Sequence, residues 1–223
     1  MSIKAAFALV VFWFSSLANA AYVTIDEVGM DAIFSQASFG NSKVDIRIGA
    51  QTQLVFPDLL DISSDAEISS LFAKHVGSQT VVNFYFVDTI SACGGSINVN
   101  FIGCGEVVGQ DFVVESDWAA DPVYGANLLA HELGHNLGLV HRSGNVLMDP
   151  FISTFSELNA AEVATILSSP LVHSDANGLF ILINPVLIVA AANGVPEPAT
   201  LLLICAGLLA GVGVRGRFRT QSA

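Results

Sequence analysis

The sequence predicts an α+β domain, and three observations predict it. Val44–Ile48 (VDIRI) alternates apolar and polar with a period of two, and Thr80–Asp88 (TVVNFYFVD) is rich in β-branched and aromatic residues, so both read as strands. Helix-opening patterns recur elsewhere: Ser64-x-x-Glu67, Asp121-Pro122 and Asn159-x-x-Glu162. Composition adds the third, because 52% of residues are hydrophobic and only 13% charged, enough to pack one core of ordinary size in 223 residues.

Taken in order, the apolar residues of Val28–Phe39 suit a short helix, and Val44–Ile48 follows as a strand. The Ser64 capping pattern opens a helix that runs to about His75 and stops at Gly77. Thr80–Asp88 is the strongest strand signal in the chain. Ser96–Ile102 and Val107–Glu115 read as two further short strands, their boundaries blurred by the glycines between Cys93 and Gly105. Asp121 as N-cap, with Pro122 in the first turn, opens a helix to Leu137; Gly138 then ends it in a left-handed conformation. A last helix follows Asn159 and ends before Pro170. Leu179–Ala192 is apolar but broken by Asn184-Pro185, and reads as extended tail within a linker over 176–194.

Both ends look like targeting segments. Lys4, an apolar run from Ala5 to Phe14 and the close Ala18-Asn19-Ala20 are the parts of a secretory signal peptide spanning 1–20, to be cut by signal peptidase after Ala20. A short N-terminal membrane anchor is the competing reading. At the other end Ala199–Val214 is an uncharged run followed by Arg215, Arg217 and Arg219. Sixteen helical residues reach about 24 Å, just short of a ~30 Å hydrocarbon core, and the arginines suit a transmembrane helix whose basic end is cytoplasmic. Val195-Pro196-Glu197-Pro198, the apolar run and the arginine cluster together resemble a PEP-CTERM sorting signal over 195–219. The resemblance implies export from a Gram-negative bacterium and a transient inner-membrane anchor. It also implies recognition by an exosortase-type sorting enzyme and a destination at the cell surface or outside, often among extracellular polysaccharide. An ordinary permanent anchor is the alternative.

Charge narrows the partners. All twenty acidic residues fall between Asp26 and Glu197, against four basic ones there, which leaves that stretch near −16. Nucleic acid and anionic lipid are repelled by such a surface. Divalent cations such as Ca2+ are favoured in general, but no DxDxDG-type loop supports a calcium site. Cys93 and Cys104 are the one cysteine pair of the exported region, and an oxidising compartment makes a disulfide the leading reading; two free thiols or a pair of soft metal ligands compete with it.

The chemistry concentrates in His131-Glu-Leu-Gly-His-Asn-Leu-Gly-Leu-Val-His141. At 100° per residue, His131 and His135 lie about 40° apart, one turn up the same helix face, where two imidazoles can share one ion. Leu129, Leu133 and Leu137 fall on the opposite side, towards the sheet. A continued helix would carry His141 about 240° away from His135, so His141 reaches the ion only if the chain leaves the helix and doubles back. Gly138 permits that departure, because glycine accepts the positive φ of the turn. Three neutral imidazoles leave one zinc position open, the arrangement of a catalytic site. His75 and His173 stand apart and read as surface or helix-end residues.

At these residues the chain resembles the metzincin metallopeptidases, whose signature is HExxHxxGxxH followed by a Met-turn. The resemblance covers Tyr22 to about Val172 within a domain of 21–175. It implies a zincin fold: a twisted mixed sheet of about five strands packed on helices, the active-site helix ending at Gly138, the Met-turn and a C-terminal helix. It implies one catalytic Zn2+ on His131, His135 and His141, and Glu132 as the general base of peptide hydrolysis by metal-activated water. Met148 in Asn145-Val-Leu-Met-Asp-Pro150 matches the methionine beneath the metal. An edge strand, for which Ser96–Ile102 is the candidate, would pair with a protein or peptide substrate while a Cys93–Cys104 bridge brackets it; Phe151–Phe155 would line the specificity pocket. Arg142 after the third histidine, and Asp149 where a matrixin turn has Tyr, match no single subfamily; the fragment Ile102–Gly109 (IGCGEVVG) looks more like the strand region of reprolysins. The function expected is a secreted zinc endopeptidase; the alternative is a polysaccharide- or surface-associated binding protein on the same fold.

Overall fold

The computed structural model describes residues 21–191; the expected signal peptide, the expected transmembrane run and the sorting tail lie outside the described residues. In chain order the first half holds α1 (Glu27–Phe34), β1 (Val44–Ile48), β2 (Thr52–Val55), β3 (Asp61–Ile62), α2 (Asp65–Phe72), β4 (Val82–Val87) and β5 (Thr89–Ile90). The second half holds β6 (Ala92–Cys93), β7 (Ser96–Ile97), β8 (Gly103–Gly105), β9 (Asp111–Glu115), α3 (Ser116–Ala119), α4 (Gly125–Asn136), α5 (Ala160–Leu167), β10 (His173–Asp175) and β11 (Gly178–Val189). Local chemistry sets several boundaries. Asp26 caps α1 through the Gly29 amide, Ser64 caps α2 through the Glu67 amide, and Asn159 with Glu162 forms a reciprocal capping box on α5.

The architecture is mixed α+β. Seven strands form one sheet in the order β1-β11-β4-β9-β8, with β2 and β10 also paired to β11. β1, β2 and β4 run parallel to β11, and β9 runs parallel to β4; β8 and β10 are antiparallel to their partners. Successive side chains face opposite sides of a strand, so β4 (VNFYFV), buried at every position, feeds two cores. Phe84, Phe86, Phe112 and Ile183 pack on one face with Met30 of α1, Leu129 and Leu133 of α4 and Ile166 of α5. Tyr85, Val87, Val113 and Ile188 pack on the other with Ile68 and Leu71 of α2.

The segment 176–194 is the largest departure from the sequence reading. It is no linker: β11 is the centre of the sheet, and the domain continues to the end of that strand. Its two apparent interruptions have partners. The carbonyls of Ile183 and Val189 accept from the amides of Gly49 and Phe56, so odd-numbered residues of β11 turn towards β1 and β2. Pro185 therefore aims its missing donor at the gap where β1 has ended and β2 has not begun, a break that costs no ladder bond. Asn184 donates to Asn83 Oδ1 (2.9 Å), which in turn donates from Nδ2 to Asp111 Oδ1 (3.0 Å), a polar rung across β11, β4 and β9.

Three smaller departures bear on the site. The expected edge strand at 96–102 is instead a two-residue hairpin arm, β7 on β6, because Gly94 and Gly95 (φ 61° and 80°) turn the chain tightly and Asn98 turns it again by accepting the Asn100 and Phe101 amides. The sheet edge falls to β8. Asp121 accepts the amides of Val123 and Tyr124 and so caps a separate turn; α4 starts only at Gly125. The helix expected over 28–39 splits into α1 and a 3-10 turn at Ala37–Phe39. Cys93 and Cys104 are bonded, with Cα atoms 5.8 Å apart, and tie β6 to β8 rather than bracketing a strand at 96–102.

Candidate metal centre

Helix α4 places His131 and His135 one turn apart, their ring centroids 4.9 Å from each other. The helix face they occupy is not open to solvent. Every residue from Leu128 to Asn136 is buried, because β8 and the loop after the helix cover that face as the sheet covers the other.

The helix ends in a Schellman turn. Gly138 takes φ +99°, its amide donates to His135 O, and the Leu139 amide donates to Gly134 O, both at 2.9 Å. The same turn aims the Leu139 carbonyl back at His135, which accepts from Nδ1 at 2.9 Å. His131 Nδ1 donates to Leu147 O at 2.8 Å, from the residue before Met148. Two backbone carbonyls thus place the proton of each ring on Nδ1 and leave Nε2 bare.

The returning chain brings His141 to those bare nitrogens. His141 Nε2 lies 3.2 Å from His131 Nε2 and 3.1 Å from His135 Nε2. Three imidazoles on a tetrahedral zinc, at about 2.0–2.1 Å each, would hold their nitrogens about 3.3 Å apart. The observed spacing is close to that, so the donor set fits a single ion of that size once the His141 Nε2 carries no proton. Among the described residues this is the one group of three such side chains whose ligand atoms all lie within 4.8 Å of one another. His131 and His135 are buried and His141 is exposed, so the site opens on the His141 side. Burial pushes His131 down to about 4 and holds His135 below the usual imidazole range, which keeps both neutral at the pH where they would bind.

Glu132 points from the same helix. It is only 5% exposed, and its Oε2 has no hydrogen-bond partner. Burial alone pushes its carboxyl up to about 8. Such an orphaned carboxylate is costly unless a donor or a cation faces it, a second observation that fits a metal or its water at this place.

Met148, fully buried, supports the centre from below. A Cβ on Gly134 would come 2.7 Å from its Sδ, so the helix and the methionine turn are packed at contact. Arg142 and Asp149, noted in the sequence only as departures from a subfamily pattern, support the centre through contacts that the sequence does not show. Arg142 grips Glu162 with both guanidinium arms (2.8 and 3.0 Å) while its amide donates to Met148 O (2.9 Å), clamping the His141 loop to the start of α5. Asp149 accepts the amides of Gly144 and Phe151, which hold its carboxyl below the usual range and close the turn. Glu162 was visible as a capping residue, but nothing local announces a partner twenty positions away. Phe155 lies alongside α4, its carbonyl accepting from Asn127 Nδ2 at 3.0 Å. His75 and His173 are remote from the trio: His75 meets Asp111 and the Ser78 carbonyl, and His173 meets the Thr80 carbonyl.

Comparison with known proteins adds one finding. Residues 194–217 match the family model of the PEP-CTERM protein-sorting motif, which supports exosortase-linked sorting and export of the Gram-negative type. No curated protein and no solved structure matches the chain. Among the described residues no helix is long and apolar enough to cross a membrane, and the run at 199–214 lies outside them.

Proposed function

We propose that the domain is an exported zinc endopeptidase of metzincin type. The observation that carries the reading is the convergence of three Nε2 atoms, two of them left bare by backbone carbonyls, beside a buried, unpartnered carboxylate on the same helix. His131, His135 and His141 would hold the ion. When bound, zinc supplies Lewis-acid polarisation of a carbonyl and makes water acidic enough to attack near neutral pH.

The chain's own residues supply the rest. Glu132 accepts the proton that the attacking water loses as its oxygen bonds to the peptide carbon. As the C–N bond breaks, that proton passes to the leaving amine, so one water is consumed for one new carboxylic acid and one new amine, and the acid's proton then moves to the amine to give carboxylate and ammonium. β8 closes one end of the sheet path, and its outer edge suits an extended peptide paired main chain to main chain. The Cys93–Cys104 bridge stiffens that edge.

The test is cleavage of a peptide library by wild-type chain and by Glu132→Gln. Cleavage by the wild type and a loss of about 10²–10⁴-fold in the variant, with zinc retained, is the expected result. Equal, negligible cleavage by both favours the surface-associated binding protein.

A further inference from the structure

Strand β8 reads Gly103-Cys104-Gly105, and its two faces are unlike. Alternation puts the glycines on one face and the cysteine on the other. Cys104 belongs to the core on the α2 side, where it is bonded to Cys93. The glycine face lies directly against α4. A Cβ at Gly103 would fall on Glu132 Oε1, 2.8 Å from Cδ and 3.0 Å from Cγ. One at Gly105 would lie 3.1 Å from both Glu132 Oε2 and Glu132 O, and 3.4 Å from the His135 Cβ. Neither glycine has a positive φ, so the backbone does not call for glycine here; the room does.

We infer that Gly103 and Gly105 are positioning residues for Glu132: the bare face of β8 is a slot for the carboxylate, held rigid from behind by the Cys93–Cys104 bridge. No hydrogen bond fixes the buried Glu132 Oε2, so shape takes that role. The disulfide matters because a strand without side chains on one face has little packing of its own there to resist sliding. Calling Glu132 the base rests on the hydrolase reading; the contact itself does not.

The experiment is a double-mutant cycle in the exported chain, with Gly103→Ala made in the Glu132 and the Glu132→Ala backgrounds. Gly103→Ala lowers Tm by several degrees where Glu132 is present and leaves it unchanged where the side chain has been removed. In the Glu132 background it also lowers kcat about a hundredfold with KM and zinc stoichiometry held, the effect of a base displaced by about 1 Å. Gly105→Ala follows with a smaller loss. If Gly103→Ala alone does not fold, recovery of folding on adding Glu132→Ala supports the slot, and failure to recover overturns it. Equal Tm changes in both backgrounds overturn it too, as does wild-type kcat in Gly103→Ala. Coupling in Tm from a chain that cleaves nothing keeps the slot and removes the hydrolase reading.

Discussion

His131 and His135 give one ring nitrogen to a backbone carbonyl and turn the other to His141, whereas His75 and His173 give theirs to the protein. His75 Nδ1 sits 2.9 Å from Asp111 Oδ1, its Nε2 sits 3.1 Å from Ser78 O, and His173 Nε2 meets Thr80 O at 2.8 Å while its ring stacks on Phe180. Burial does not separate the two groups, since the His75 side chain is only 11% exposed and His141 is the exposed member of the trio. What separates them is where the nitrogens turn: in the trio each Nε2 faces another imidazole, and in His75 and His173 none does. His75 is bonded at both nitrogens and His173 at Nε2, whereas His131 and His135 are each oriented by one carbonyl and turn Nε2 to the shared centre.

The largest way to break that comparison is His135→Ala. It removes one corner of the triangle, and zinc affinity should fall by at least about a hundredfold, with hydrolysis at background, as read by metal titration and peptide cleavage. His75→Ala should do the reverse. It leaves Asp111 buried without its imidazole, costing about 3 kcal/mol in denaturant unfolding, while zinc stoichiometry stays at the wild-type value. A zinc loss on removing His75 would erase the distinction.

A third test uses the pH dependence of the metal-free chain. Glu132 is raised to about 8 from 4.5, so the folded state resists ionising it. The cost is absent below pH 4.5, where the unfolded carboxyl is also protonated, and grows as pH rises to about 8. In chelator, Glu132→Gln should therefore match wild-type Tm in acid and exceed it by several degrees at pH 8. Added zinc should close the gap. The smallest effect belongs to Arg142→Ala: its side chain is 38% exposed, so stability should change by less than about 1 kcal/mol, but zinc affinity should weaken a few-fold as the His141 loop loses its clamp.

What was legible in the sequence was local. The period of VDIRI, the capping box at Asn159-Glu162 and the spacing of His131 and His135 each depend on residues within a turn or two of one another. Gly138 was legible because a third histidine six residues beyond the second demands a reversal. What was hidden depended on partners far along the chain. Pro185 and Asn184 argue against a central strand until β1, β2 and β4 are in place, and then they fit the one gap and the one polar rung available. The edge strand moved from 96–102 to Gly103–Gly105 because a tight glycine hairpin used up the earlier residues. Glu132 could be picked out beside its histidine, but the glycines that make room for it stand twenty-nine and twenty-seven positions earlier, with no pattern to connect them.

The central claim is that three converging histidines, two of them oriented by backbone carbonyls, form a metal site, and metal analysis of the exported chain tests it most directly. After loading with zinc and dialysis against metal-free buffer, the account predicts about one zinc per wild-type chain, retained in His75→Ala and lost in His135→Ala. A wild-type chain that emerges without zinc, or a His135→Ala chain that keeps it, would contradict the account.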